Sequence, residues 1–317
     1  MKLGDIQSIT SKIKSNIETV IVGKSELIDL ILTTLLSEGN LLLEDVPGTG
    51  KTMLAKTLAK SLACDFSRIQ FTPDLLPSDI TGLNFYNQKA SEFTFRKGPV
   101  FCNILLADEI NRATPRTQSA LLECMEEKQI TVDGETRILS NPFFVIATQN
   151  PIETAGTFPL PEAQMDRFMM QLSMGLPTLE EEVAILNRFM KNSPLANLDS
   201  VCSKEDLVAM QGLISDIYVH SLVMNYLVRL VEATRNHPQV TLGVSPRGSL
   251  ALLKACQSYA AIRGMSYVTP DIVKYLAPFV LSHRLVLRSS YHKSESAKEV
   301  MNEILASVPV PTEDFSN

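Results

Sequence analysis

The sequence predicts an α/β domain, with a parallel sheet between helices, followed by a smaller all-helical domain. Four short apolar runs recur in the first half of the 317-residue chain, and helical patterns separate them. Apolar strands that alternate with helices are typical of a parallel sheet covered on both faces. After Met174-Gly175-Leu176-Pro177 the strand signals become sparse. We therefore place the first domain at residues 1–177, a helical domain at 178–311 and a loose tail at 312–317.

In chain order, residues 5–38 carry apolar side chains at helical spacing, and Val22-Gly23-Lys24 breaks this stretch into two helices. Two pairs of alternating segments, 83–95 and 129–138, predict hairpins that protrude from the sheet, and the second pair flanks the turn signal Asp133-Gly134. The predicted strands are 40–44, 68–71, 103–107 and 143–148, and the other predicted helices are 51–63, 117–127, 179–191, 204–236, 246–263 and 270–290.

Composition describes an ordinary globular chain with room for a sizeable core, since 45% of the residues are hydrophobic and 20% are charged. The net charge of −6 provides no overall basic field that would attract nucleic acid. Five cysteines without C-x-x-C spacing predict free thiols in a reducing compartment. The apolar run at 27–36 is too short to span a bilayer. We therefore expect a cytoplasmic protein without a membrane segment.

The segment between the first predicted strand and the next helix reads Asp45-Val46-Pro47-Gly48-Thr49-Gly50-Lys51-Thr52. A strand, a glycine-containing turn and a helix start, in that order, are typical of a P-loop, whose backbone amides attract anions. Lys51 can reach the outer phosphates of a nucleotide, and the Thr52 hydroxyl can bind Mg²⁺. The residues that we assign to nucleotide binding here are Val46, Pro47, Gly48, Thr49, Gly50, Lys51, Thr52 and Met53.

Two features of this loop need an explanation. The strict P-loop pattern has Gly where this chain has Asp45, and Asp tolerates unusual backbone angles less well than Gly. An ordinary Gly/Pro turn between a core strand and a helix is the alternative interpretation. It does not explain why Lys51 follows Gly-x-Gly at a helix start, so nucleotide binding is the better prediction.

A later apolar strand, 103–107, runs directly into two adjacent carboxylates, Asp108 and Glu109. Ligands of parallel sheets bind at the carboxyl ends of the strands, which brings these residues beside the P-loop if the two strands are neighbours. We expect Asp108 to bind Mg²⁺ of the nucleotide and Glu109 to polarise the attacking water. A helix N-cap followed by a first-turn Glu is the alternative without chemistry.

Taken together, these segments resemble one known family, the MoxR AAA+ ATPases. The resemblance includes Asp45, so this departure from the general P-loop pattern is typical of the family. It spans nearly the whole chain and implies a P-loop AAA+ core followed by a helical lid, with Mg²⁺-dependent ATP hydrolysis. The segments that carry it are 44–52, 108–113, 117–123, 147–151, 160–168 and 245–247.

The resemblance also assigns roles to single residues. Asn150 corresponds to sensor 1, which positions the lytic water, although an Asn before Pro is also a common turn residue. Arg167 corresponds to the arginine finger that reaches a neighbouring subunit's γ-phosphate; a surface pair with Asp166 is its alternative. Arg247 corresponds to sensor 2 and is expected to contact the nucleotide of its own subunit; a solvated Arg near a helix start is the alternative.

Two further assignments concern the edges of the nucleotide site. Val22 and Gly23 lie in a segment that resembles the family's adenine-contacting stretch, although without the resemblance they mark only a helix break. Gln70 ends a predicted strand near the site, and we hypothesise that it restrains Glu109.

By resemblance, the subunits form a homo-oligomeric, hexameric ring that acts on a protein client, with a von Willebrand factor A domain protein among the partners. Hairpins 83–95 and 129–138 correspond to the family's remodelling elements, and surface hairpins that pack on themselves are the alternative. The expected output is chaperone-like remodelling or cofactor insertion. A nucleic-acid motor is a second hypothesis, disfavoured by the acidic balance, and an ATP-switched binding module is a third, disfavoured by the intact Glu109.

Overall fold

The computed structural model describes residues 1–89, 91–151, 156–190, 194–288 and 293–311. The predicted tail at 312–317 lies outside the described residues. The helices are α1 Leu3–Glu18, α2 Ser25–Leu36, α3 Lys51–Ser61, α4 Pro77–Thr81, α5 Pro115–Glu127, α6 Glu162–Met165, α7 Leu179–Phe189, α8 Lys204–Leu213, α9 Ser221–Asn236, α10 Pro246–Ile262, α11 Pro270–Leu281 and α12 Lys293–Ser307. The strands are β1 Leu41–Glu44, β2 Phe66–Gln70, β3 Gly82–Asn87, β4 Glu92–Lys97, β5 Ile104–Asp108, β6 Gln129–Val132, β7 Glu135–Ile138, β8 Phe144–Gln149, β9 Met170–Leu172, β10 Val240–Leu242 and β11 Val286–Leu287.

The centre of the first domain is a five-stranded parallel sheet in the order β2-β5-β8-β1-β9. Four of these strands are the four that the apolar runs predict, each displaced by no more than two residues. The fifth, β9, is not predicted, because a three-residue strand is too short to show a period. Its residue Met170 is fully buried in the core.

Side chains of the central strands alternate between two core layers. Leu41 and Leu43 belong to the layer that includes α1, α2 and α3, whereas Leu42 belongs to the layer that includes α5. A sheet covered on both faces therefore confirms the predicted α/β class. The first layer continues without a break into α10 and α11, so one apolar core joins the sheet to the helical part of the chain. The domain boundary at 177 stays a prediction.

The two predicted hairpins are present as separate antiparallel pairs, β3 with β4 and β6 with β7. The second pair turns through Asp133 and Gly134, both with positive φ, 52° and 82°. Positive φ at two consecutive positions is the geometry that tight hairpin turns require, which is why the Asp-Gly signal works.

The second half of the chain is mainly helical, but two long helix predictions are wrong. The predicted helix 204–236 is divided into α8 and α9, because Tyr218 bonds in an extended form to the backbone of Ser266 and Val268. The predicted helix 270–290 stops at Leu281, since the following turn sends Arg284 inward and β11 pairs with β10. Helix α12, β10 and β11 are additional elements that the sequence interpretation missed.

Two findings bear on the environment of the chain. The five cysteines are free thiols, and burial raises the pKa of Cys102, Cys124 and Cys202 to about 12, which keeps them unreactive. Within the described part of the chain, none of the helices combines the length and apolarity that crossing a bilayer requires.

A buried ion pair fastens the helical half to the sheet domain. Arg284, with a side chain that is 3% exposed, donates from Nη1 to Asp166 Oδ1 at 2.5 Å and from Nη2 to the Phe168 carbonyl at 2.7 Å. Ser245, the N-cap of α10, donates to the other oxygen of Asp166 at 3.0 Å. Asp166 therefore pairs with the helical half of the chain, rather than forming the surface pair with Arg167 that was the alternative interpretation.

We expect Asp166→Ala to lower the free energy of unfolding by about 3 kcal/mol, because it leaves the buried Arg284 charge uncompensated. Urea titration followed by circular dichroism measures this change. Asp65→Ala is the matched control, since it removes an exposed pair with Lys204, and we expect it to cost less than about 1 kcal/mol. Equal effects of the two substitutions would contradict the conclusion that the buried Asp166–Arg284 pair stabilises the attachment of the helical half.

Candidate functional site

The P-loop joins β1 to α3, as predicted, and its conformation depends on two glycines. Gly48 and Gly50 have φ of 87° and 94°, in the region that favours glycine, and Gly50 is the residue before the first turn of α3. Within the described residues, the structure shows no intramolecular acceptor for the backbone amides of Gly48, Thr49 and Gly50. Lys51 folds back over the loop and donates to the carbonyls of Asp45 and Val46, at 2.9 and 3.3 Å. The loop is thus an open anion cradle with its own cation beside it.

Asp45, the residue that departs from the strict P-loop pattern, makes the most extensive contacts of the loop. Its carboxylate, 5% exposed, accepts hydrogen bonds from Ser173 Oγ at 2.7 Å, Met174 N at 2.7 Å and Gly175 N at 3.0 Å. These donors lie directly after β9. The Asp45 amide donates to Gln149 O at 3.2 Å, at the end of β8. One side chain therefore ties the P-loop to the segment that leaves the sheet for α7.

Asp108 and Glu109 lie at the same edge of the sheet as the P-loop, as predicted, but β8 stands between β5 and β1. Thr148 on β8 organises both residues, because its hydroxyl donates to Asp108 Oδ1 at 2.6 Å and accepts from the Glu109 amide at 2.9 Å. Glu109 is left-handed, with φ 56° and ψ 50°, which turns its side chain away from the strand direction. Asn150, directly after β8, lies between the carboxylates and the P-loop.

A chain of polar contacts holds the two carboxylates. Gln70 Nε2 donates to Glu109 Oε2 at 2.8 Å, which confirms the contact that the hypothesis on Gln70 requires. Arg112 Nε lies 3.1 Å from the same oxygen. Arg68 on β2 donates from Nη2 to Gln70 Oε1 at 2.8 Å and to Asp108 Oδ2 at 2.7 Å. Arg68 and Arg112 were missed by the sequence interpretation, because a charged residue on a strand or in a turn carries no signal of its partner.

The donor set fits Mg²⁺. Among the described residues, no three His, Cys, Asp or Glu side chains gather into a metal cluster. Mg²⁺ bound with a nucleotide commonly takes one or two protein oxygens, and phosphate oxygens and waters supply the rest. The Thr52 hydroxyl at the start of α3 and the Asp108 carboxylate, on the same edge of the sheet, are suitable ligands of this kind. Arg68 shows that this carboxylate already attracts a cation.

The segment with Val22 and Gly23 meets the same connection that Asp45 holds. Lys24 Nζ lies 3.5 Å from the Leu176 carbonyl and 3.6 Å from Glu181 Oε2, in the first turn of α7. A Cβ on Gly23, which has φ 71°, would come within 1.8 Å of the Glu181 carboxylate. The P-loop and the segment predicted to contact adenine therefore both border residues 173–181.

Arg167 and Arg247 lie together, and both contact one carboxylate. Arg167 Nε is 3.2 Å from Glu126 Oε2, and Arg247 Nη2 contacts Glu126 Oε1. This cluster is at the amino edge of the sheet, since the Met169 amide just beyond Arg167 bonds to Asn40 O at the start of β1. The P-loop lies at the carboxyl edge. This placement of Arg247 differs from the expectation that it contacts the nucleotide of its own subunit.

We expect Asp45→Gly, which restores the general P-loop pattern, to lower the free energy of unfolding by about 3 kcal/mol and to weaken nucleotide binding. The substitution leaves the Ser173, Met174 and Gly175 donors without their acceptor. Asp45→Asn keeps one acceptor oxygen and is expected to lose less. Chemical denaturation and titration with a fluorescent ATP analogue measure both effects. A neutral or stabilising Asp45→Gly would show that Asp45 is merely tolerated.

Two family profiles match the chain. The profile described as ATPase family associated with various cellular activities (AAA) matches residues 40–170, and the profile described as AAA lid domain matches residues 232–304. The first range contains the P-loop, both carboxylates and Asn150, and the second contains Arg247. Residues 171–231, which include α7, fall between the two matched ranges.

Similar proteins match almost the whole chain. Chaperone MoxR1 of Mycobacterium tuberculosis is 44% identical over 93% of this chain and 80% of its own length, and protein MoxR of Paracoccus denitrificans is 30% identical over 92% and 93%. The uncharacterized protein YeaC of Bacillus subtilis is 50% identical over 98% and 97%. A crystal structure from Cytophaga hutchinsonii, described as a candidate ATPase, superposes with a TM-score of 0.89 at 36% identity, over 97% of this chain and 96% of that one.

Proposed function

Because the chain belongs to the MoxR family of AAA+ ATPases, we propose that it binds ATP with Mg²⁺ and hydrolyses it in a ring of identical subunits. The observation that carries this proposal is the carboxyl edge of the sheet, where the P-loop, Asn150 and the Asp108–Glu109 pair follow β1, β8 and β5. Phosphate binding, metal binding and water activation are thereby available on adjacent strands.

Each group at this edge has a definite task in the proposed reaction. The loop amides and Lys51 bind the phosphates, so Lys51 exchanges its contacts with the Asp45 and Val46 carbonyls for phosphate oxygens. Thr52 and Asp108 hold Mg²⁺, which neutralises charge on the transferred phosphoryl group. Glu109 accepts the proton of the attacking water, and Asn150 orients that water. Gln70 and Arg112 restrain Glu109 until the site is complete.

The two arginines complete a neighbour's site in this proposal. Arg167 and Arg247 lie at the edge of the sheet opposite to the P-loop of their own chain, and both contact Glu126. A head-to-tail ring brings the arginine edge of one subunit to the P-loop edge of the next, which supports a trans role for both residues. An arginine supplied in trans is worth about 10³–10⁵ in rate, so the isolated subunit is a poor ATPase. The family resemblance favours six subunits.

The proposed output is chaperone-like remodelling or maturation of a protein partner. The M. tuberculosis relative is named as a chaperone, which supports this proposal. The β3–β4 hairpin supports this, since its exposed Phe85, Tyr86 and Phe93 offer apolar groups to a client. A von Willebrand factor A domain protein is the proposed partner. We place the protein in the cytoplasm, consistent with its free thiols.

Two alternative functions make different predictions. If the protein is a nucleic-acid motor, nucleic acid should stimulate its ATP turnover with a steep salt dependence. If it is an ATP-switched binding module, a single-turnover experiment should show no hydrolysis.

We expect ATPase turnover per subunit to rise with protein concentration across the range in which subunits assemble. The reason is that Arg167 and Arg247 reach the γ-phosphate only across a subunit contact. Steady-state phosphate release, measured alongside sedimentation velocity on the same samples, tests this. Specific activity that stays flat from monomer to assembled ring would contradict a shared site.

We expect mixed rings of Arg167→Ala and Glu109→Gln subunits to recover turnover that neither variant has alone. A P-loop from the first variant then faces an intact Arg167 from the second, which completes about one site in four at equal mixing. Phosphate release across mixing ratios measures the recovery. The control is Glu109→Gln mixed with the double variant Glu109→Gln, Arg167→Ala, which can form no complete site. Recovery in neither mixture would contradict the trans role of Arg167.

A further inference from the structure

Helix α7 exposes an apolar stripe along its whole length. Leu179, Val183, Leu186 and Met190 are between 50% and 74% exposed, and no residue of α7 is buried. At about 100° per residue, these four side chains fall within about 60° of one another around the helix axis. Leu176, 72% exposed, precedes them in the connection from the sheet. Contiguous exposed apolar surface of this kind marks an interaction site more often than scattered single residues do.

The stripe is not the side by which α7 packs against the rest of the chain. A different side of α7 is already attached to the body of the protein, because Phe189 packs against the main core. Arg188 also donates from Nη1 to the Glu18 carbonyl at 2.6 Å. The helix is therefore held in place with its stripe directed away from the chain's own core.

The position of the stripe identifies its partner. Helix α7 begins three residues after Leu176, in the connection that Asp45 and Lys24 hold beside the P-loop. In the proposed function, the arginine edge of a second copy must approach this same P-loop. A surface next to the P-loop and facing outward lies in the path of that copy. The inference rests on the proposed function at this step.

The arginine edge offers complementary groups. Leu250, 61% exposed, lies one turn after Arg247 on the exposed side of α10. Arg167 and Arg247 both contact the carboxylate of Glu126, so two guanidinium groups lie on that face. The first turn of α7 carries exposed Glu180 and Glu182 beside the stripe. Apolar and charged groups are thus matched between the two different faces, as a head-to-tail ring requires.

We propose that the α7 stripe, formed by Leu176, Leu179, Val183, Leu186 and Met190, is a subunit contact that docks on the Arg167, Arg247 and Leu250 face of a second copy of this chain. The contact links ring assembly to the nucleotide site, because α7 starts at the segment bonded to Asp45. Loss of the stripe should prevent assembly and shared catalysis, while nucleotide binding by the single subunit stays intact.

The test compares the full-length chain with Leu186→Asp, and uses Val228→Asp as the matched control on the exposed side of α9. Sedimentation velocity with a non-hydrolysable ATP analogue measures assembly, and a fluorescent ATP analogue measures binding at subunit concentrations below assembly. We expect Leu186→Asp to raise the midpoint concentration of assembly about tenfold or more, as loss of a central interface anchor does. Leu250→Asp should show the same defect, and Val228→Asp should assemble like the natural chain.

Hydrogen exchange gives a second measurement that needs no substitution. We expect the amides of residues 179–190 to gain protection when the natural chain assembles at increasing concentration. Unchanged exchange in α7, or normal assembly of a folded Leu186→Asp variant, would overturn this inference while leaving the shared site intact. A natural chain that never assembles, or whose turnover is flat with concentration, would overturn the trans site as well as this contact.

Discussion

The carboxylate of Asp45 is the interaction on which the nucleotide edge of the molecule depends. It brings two backbone amides and one hydroxyl from residues 173–175 onto the first residue of the P-loop, out of contact with water. A buried carboxylate requires several donors to offset its desolvation, and these three supply them. The chain leaves the sheet and enters α7 through that segment, so a residue of the P-loop holds the start of this connection.

Several charged groups of the site contact other groups of their own chain in this conformation. Lys51 bonds to loop carbonyls, Asp108 to Arg68, Glu109 to Gln70 and Arg167 to Glu126. In each contact, a group of the chain occupies a position that the proposed function gives to a nucleotide, a metal ion, a water or a neighbouring subunit. In the proposed function, binding of nucleotide, Mg²⁺ and a neighbouring subunit would replace these contacts.

Sequence alone predicts the parts of this structure that depend on near neighbours along the chain. The P-loop, the strand before it and the Asp133-Gly134 turn all belong to this class, because local backbone geometry selects their residues. The function of Asp45 could not be predicted, since its partners lie about 130 residues away and two of them are backbone amides. The division at Tyr218 was missed for a similar reason, because pairing with residues 266–268 overrides local helix propensity. Strand β9 was missed because its three residues are too few to show a period.

The two arginines show that a residue assignment made from sequence resemblance does not give the position of the residue in the fold. The family resemblance assigns Arg167 to a neighbouring subunit's γ-phosphate and Arg247 to the nucleotide of its own subunit, but it does not say on which side of the sheet these residues lie. In the folded chain, both arginines lie at the amino edge of the sheet and contact Glu126, whereas the P-loop lies at the carboxyl edge. The two arginines of one chain therefore lie at the edge opposite to the P-loop of the same chain. In the proposed ring, head-to-tail association would bring the arginine edge of one subunit to the P-loop edge of the next.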